Sequence, residues 1–201
     1  MQELRTAPRQ RRSQQSIDAI LDAAERLIHE HGQVSFTAAE LATGAHMSIG
    51  RVYYWFPDIP SVVSALVERT TQRMVDVFGS ALGSEANTST PLLVQRVVGA
   101  ICEHIDHNPA TVALALTGGV ESKGGPLYLR VVELVSRVVS DRVPDIPADE
   151  VDVVARTTVG ITMGMLHDYT RAGEGKGLLR QELVYVLSAW LYARYPSSDD
   201  Q

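Results

Sequence analysis

Apolar residues recur along this chain at the steps of a helix. Ile17, Ile20, Leu21, Ala24, Leu27 and Ile28 are three and four apart, which gathers them on one face until Gly32 stops the run. A second, short run follows Thr37 through Ala38, Ala39, Glu40, Leu41 and Ala42, and the Thr37-to-Glu40 spacing is that of a capping box. Gly44 to Met47 has the length of a turn. Ser48 then caps a third helix from Ile49 through Phe56, which Pro57 ends. From about Pro60 to Leu82 a longer helix carries Val63, Leu66, Val67, Met74, Val75 and Phe78, with proline in its first turn, where the missing amide costs nothing.

Residues 83 to 90 are rich in Gly, Ser, Thr and Asn and predict a loop. Beyond it, amphipathic stretches predict helices at about 91–107, 109–117, 126–143, 148–172 and 178–195, with Gly and Pro at each junction. The valine-rich segments near 131–139 and 151–159 would suit strands on propensity alone. Their length and i, i+3, i+4 spacing favour helices. The expectation is an all-α chain in two parts, a three-helix N-terminal unit followed by a larger helical domain.

Composition narrows the class. The 201 residues are 45% hydrophobic and 21% charged, ordinary globular usage. The single Cys102 cannot form an intramolecular bridge, residues 1 to 16 do not resemble a signal peptide, and no apolar run is long enough to span a bilayer, so a cytoplasmic protein is expected. The net charge of -6 argues against affinity of the whole surface for nucleic acid, but its distribution is uneven. Residues 1 to 12 hold Arg5, Arg9, Arg11 and Arg12 against Glu3 alone, the composition of a basic arm able to reach phosphates.

Candidate chemistry concentrates on the third helix. Val52 and Phe56 can face a core, which leaves Ile49, Arg51, Tyr53, Tyr54 and Trp55 for the other faces. An arginine there can fork to guanine O6 and N7, and tyrosine hydroxyls can reach phosphates. Gly50 would let the backbone approach DNA, and Ser48 and Thr37 stand at helix starts beside it. The opposing reading is that these aromatics only pack against a neighbour, and that the arm is a solvated tail.

Three helices in this order resemble a helix-turn-helix, and residues 13 to 67 resemble the DNA-binding domain of the TetR/AcrR family of repressors. The resemblance rests on Ile20, Ala23, Ala24, Leu27 and Gly32, on Phe36-Thr37, on Leu41, Ala42 and Ala45, and on Ser48, Gly50, Val52, Tyr53 and Phe56. It implies a homodimeric regulator, released from a palindromic operator by a small molecule. Domains follow as 1–12 basic arm, 13–58 helix-turn-helix, 59–196 ligand-binding and dimerisation domain, and 197–201 flexible tail.

Two departures stand out. His46 occupies a turn position where the family commonly has Gly, so a left-handed residue is expected there. Ile59-Pro60 follows Asp58 where a lysine usually begins helix 4, which removes one phosphate contact and leaves the helix amides as a substitute.

In the C-terminal part, the resemblance makes Thr157, Gly160, Ile161, Gly164, Leu183, Leu187, Trp190 and Leu191 a dimer interface; ordinary intrachain packing is the alternative. Phe78, His104, Leu114, Tyr128, Val132, Met163 and His167 are the candidate pocket for an effector. Cys102 falls on nearly the opposite side of its helix from His104 and His107, so no metal site and no cofactor are expected. No catalytic motif appears. A helical enzyme or sequestering protein stays open as a second class, and an activator as a third.

Overall fold

The computed structural model describes residues 7–83, 88–116 and 125–195, with side chains from residue 12 onward apart from those of 109, 115, 116 and 126. The described residues form helices joined by turns and short loops, without strands: α1 (Ala7–His31), α2 (Ala38–Gly44), α3 (Ile49–Trp55), α4 (Ile59–Leu82), α5 (Thr90–His107), α6 (Pro109–Leu116), α7 (Pro126–Arg142), α8 (Ala148–Tyr169) and α9 (Lys176–Arg194). A short 3₁₀ turn, Gly173–Gly175, leads into α9.

Two compact units emerge. The first holds residues up to Thr70 together with α6; the second holds Thr71–Asn108 and α7 to α9. In the first, Ile20, Leu21, Ala23, Ala24 and Ile28 of α1 are buried with Leu41 and Ala42 of α2, Val52 and Phe56 around α3, and Val62 and Leu66 of α4. The predicted stripes supply most of this core, though Ile17, Leu27, Val63 and Val67 are only half-buried and Val62, not predicted, is fully buried. The close fit of α2 on α1 depends on Gly44, since a Cβ there would meet the Ala23 Cβ at 3.0 Å. Arg69 of α4 adds a charged tie, reaching Asp22 and Glu25 of α1 at 2.8 Å each.

In the second unit α7 packs on α8, and α9 packs on both α5 and α8. Asp106 of α5 accepts from the Tyr169 hydroxyl at 2.6 Å and pairs with the Lys176 ammonium at 2.6 Å, joining three helices. Burial pushes the Asp106 carboxyl up, but these two donors outweigh it and hold it below the usual range; the same burial, with the carboxylate beside it, raises the Tyr169 phenol.

The layout of the helices departs from the sequence reading in two places. Where an arm is expected over residues 1–12, α1 already begins at Ala7. Arg and Gln are good helix formers, and Pro8 sits in the first turn, where it is tolerated, so a segment too polar to pack still extends an anchored helix. Residues 1–6 and the tail at 197–201 lie outside the described residues. The second departure is α6, counted with the C-terminal domain in sequence but packed on α1, with Ala113 and Leu114 buried.

Candidate nucleic-acid interface

The turn between α2 and α3 is set by hydrogen bonding. Ala45 ends α2, His46 turns left-handed at φ 55°, its amide donates to the Thr43 carbonyl at 3.1 Å, and the Met47 amide donates to the Ala42 carbonyl at 2.8 Å. That pair of bonds is a Schellman closure, usually built on glycine. The left-handed residue expected at His46 is present. It aims α3 away from α2.

At the start of α2 the capping box is complete. The Glu40 amide donates to Thr37 Oγ1 at 3.2 Å, while the Thr37 amide and hydroxyl both donate to Glu40 Oε2 at 2.7 Å. The Thr37 hydroxyl and amide hold the Glu40 carboxyl below the ordinary range. The Thr37 hydroxyl proton is thus donated to a carboxylate of its own chain.

On α3, Ser48 Oγ accepts from the Arg51 amide at 3.3 Å, and Val52 and Phe56 point into the core. Tyr54 is 76% exposed, Tyr53 52% and Ile49 47%, so the outward face is largely apolar and aromatic. Gly50 lies on that face, and a Cβ built there meets no neighbouring group among the described residues within 4 Å. The fold itself therefore does not require glycine at this position. Trp55 is half-buried, its ring edge-on to Tyr54 at 4.8 Å, and its buried Nε1 finds no acceptor among the described residues.

Arg51 is exposed, yet its guanidinium does not wave in solvent. Nη2 donates to Ser16 Oγ of α1 at 3.2 Å, and the Ser16 hydroxyl donates to the Arg12 carbonyl at 3.1 Å. Arg12 itself is exposed, while the side chain of Arg11 lies outside the described residues. At the start of α4, Asp58 Oδ1 accepts from the Ser61 hydroxyl at 2.6 Å and the Ser61 amide at 2.8 Å, and these donors lower its carboxyl. The helix amides suggested above as a substitute phosphate anchor are thus already met by a negative charge.

Residues 20–66, which hold this whole turn and both helices, match the family described as bacterial regulatory proteins, tetR family. This N-terminal segment is thus similar to the tetR family of bacterial regulatory proteins. Solved structures of that family share the fold over nearly their full length. A TetR-family transcriptional regulator from Streptomyces coelicolor is 21% identical at a TM-score of 0.66, covering 90% of this chain and 99% of that one. The TetR-family repressor AlkX from Dietzia sp. strain DQ12-45-1b is 17% identical at 0.63, covering 87% and 97%. A structure described as the molecular basis for control of antibiotic production by bacterial hormones is 20% identical at 0.65, covering 85% and 94%. The sequence has no match among curated proteins.

In the second unit, Phe78, Tyr128 and Val132 are buried, and His104 and Met163 are half-buried. His167 is exposed and does not join them, because it falls on the solvent side of α8, opposite the face of buried Leu166 and Tyr169. Leu114 is fully buried in the first unit, so it is not part of this group. The His104 ring has an amide donor, Asn108 Nδ2, facing Nδ1 at 3.4 Å, which leaves the ring proton on Nε2. That buried Nε2 has no partner among the described residues, nor has Thr71 Oγ1 on α4, a group the sequence reading overlooked. Burial, and Arg73 beside it, lower the His104 imidazolium below its usual range.

The presumed dimer residues divide. Leu183 and Leu187 are buried within the chain, on the α9 face turned to α5 and α8, which corrects their assignment to a surface. Thr157, Gly160, Ile161, Trp190 and Leu191 are half-buried, and Gly164 is exposed. No neighbouring group among the described residues lies within 4 Å of a Cβ at Gly160 or Gly164, and Val153 on the same face of α8 is exposed. On α9 the exposed stripe is Leu178, Tyr185 and Tyr192, which the sequence reading missed. No three His, Cys, Asp or Glu come together to hold a metal among the described residues, and none of these helices is long and apolar enough to cross a membrane.

Proposed function

We propose that this regulator is a cytoplasmic homodimeric repressor that holds a near-palindromic operator and is released by a small molecule, acting by binding alone. The observation that carries the DNA reading is the outward face of α3, apolar and aromatic around a glycine that the fold leaves uncovered. On this reading Ile49 and Arg51 meet base edges, and Gly50 admits the DNA. Ser48, Tyr53, Tyr54, Trp55 and the basic start of α1, with Arg11 and Arg12, hold phosphates. The uncovered glycines of α8 and the Leu178, Tyr185 and Tyr192 stripe of α9 supply a self-complementary face for a two-fold partner, setting half-sites about one helical turn apart. That one of the fold neighbours is named a repressor supports the sign of regulation.

The effector reading rests on His104. A neutral, half-buried ring with an unmet buried donor suits an uncharged molecule bearing an oxygen acceptor such as a ketone, lactone or ester. A coupling of roughly 1 to 3 kcal/mol then gives about tenfold to hundredfold release.

The test is selection of duplexes from a randomised pool, followed by titration at several salt concentrations. A near-palindromic consensus is expected, with a salt slope of about 0.9 per phosphate neutralised. Gly50→Ala should fold at least as stably and lose about tenfold or more in affinity. Selected complexes should fall apart with a lactone or long-chain ketone, and His104→Phe should bind DNA without that response. Failure to enrich any sequence would overturn the DNA reading; complexes indifferent to every such compound would overturn the effector reading.

A further inference from the structure

Arg51 is held at both ends by serines. Its amide donates to Ser48 Oγ at 3.3 Å, and its Nη2 donates to Ser16 Oγ at 3.2 Å across a separation of 35 residues. Ser16 is only 7% exposed and lies on α1, so its position is fixed by the core. Its own proton is committed to the Arg12 carbonyl at 3.1 Å, which turns the oxygen lone pairs outward to receive the guanidinium. A guanidinium carries five N–H donors in a rigid plane, and one bond at one edge leaves the two-pronged edge needed by guanine intact while removing rotation about the long stem.

Resting on the DNA reading given above, we infer that Ser16, a residue that does not itself face DNA, sets the base preference of this protein by holding the Arg51 fork in its reading orientation. Ser16 is a positioning residue. Its hydroxyl makes the recognition arginine a preorganised part of the surface, so the ordering entropy is settled at folding and not at binding. The same bond joins the start of α1, where Arg12 lies, to the recognition helix. Base contact and backbone contact therefore share one rigid frame.

The experiment uses full-length protein and the duplex that wild type enriches from a randomised pool, with variants of that duplex changed at each base pair in turn. Wild type, Ser16→Ala, Arg51→Ala and the double variant are titrated at matched salt. Ser16 makes only the back-bond to Arg12 within its helix, so alanine should preserve the fold, checked by circular dichroism and urea unfolding. Ser16→Ala should cut discrimination at the one base pair that Arg51→Ala also relaxes, by about three- to tenfold, the usual net worth of one hydrogen bond. Affinity for unrelated DNA and the salt slope should not move, Ser16→Thr should restore discrimination, and Ser16→Ala should add nothing once Arg51 is alanine.

Unchanged discrimination in Ser16→Ala would overturn the inference, as would an equal loss in the Arg51→Ala background. So would tighter binding, which would mean that Ser16 withholds the arginine from DNA. A wild type that selects no sequence would overturn the DNA reading and this inference together, whereas a selective wild type with an indifferent Ser16→Ala overturns this inference alone.

Discussion

At the scale of residues, His46 shows how far local sequence can speak. A turn of this length needs a left-handed residue after Ala45, and a histidine there must adopt φ 55° to complete the two closing bonds. The conformation costs a residue with a Cβ about 1 kcal/mol or more, against which glycine loses some backbone entropy in the unfolded chain. His46→Gly should therefore raise the free energy of unfolding by about 0.5 to 1 kcal/mol, read as a higher urea midpoint at unchanged slope; a lower midpoint would mean that the imidazole makes an interaction worth more than the strain. The position was legible because the strain is local. The tie from Arg51 to Ser16 was not, since nothing along a separation of 35 residues says that two side chains converge. Thr37 is a related case: the capping box was visible in sequence, but where its hydroxyl proton goes depends on the rotamer that Glu40 takes.

At the scale of elements, periodicity was a good guide to which helices exist and a poor one to which face meets what. The stripe Ile20, Leu21, Ala24 and Ile28 reads as a core face and is one. α6, with the sequence Pro-Ala-Thr-Val-Ala-Leu-Ala-Leu, is apolar nearly all round and so carries no direction by which to choose a partner. α9 has the opposite difficulty, two apolar faces on one helix. Leu183 and Leu187 turn inward, while Tyr185, 69% exposed, turns outward with Leu178 and Tyr192. This separation predicts different outcomes for adjacent substitutions. Leu183→Ala should destabilise the fold by about 3 kcal/mol through the cavity it leaves. Tyr185→Ala should leave the unfolding of dilute protein nearly untouched but shift the sedimentation coefficient towards that of a single chain at micromolar concentration. Equal behaviour of the two variants would remove the case for α9 as a contact between copies.

At the scale of the whole molecule, charge links stability to acidity. Glu40, Asp58, Asp106 and Glu150 are all held below the ordinary carboxylate range, Glu150 by the Tyr195 hydroxyl and Arg194. Each contributes stability that is complete above that range and is lost as pH falls through the depressed native value. His104 acts earlier with the same sign: its native value is lowered, so folding must exclude a proton that the unfolded ring takes up below about pH 6.5. The urea midpoint should fall from pH 7.5 to pH 5, and His104→Gln should flatten that first part of the curve without altering the later collapse. A wild-type midpoint that is level down to pH 5 would contradict the burial of His104.

The placement of α6 in the first unit also bears on how the chain comes to be folded. During synthesis, α1 to α3 leave the ribosome well before residues 109–116, so the patch on α1 that receives Ala113 and Leu114 stands bare while much of the second unit's sequence is still being made. A fragment ending at Thr70 would keep that bare patch permanently. It should be less stable and more prone to clump than one in which a tethered α6 is supplied.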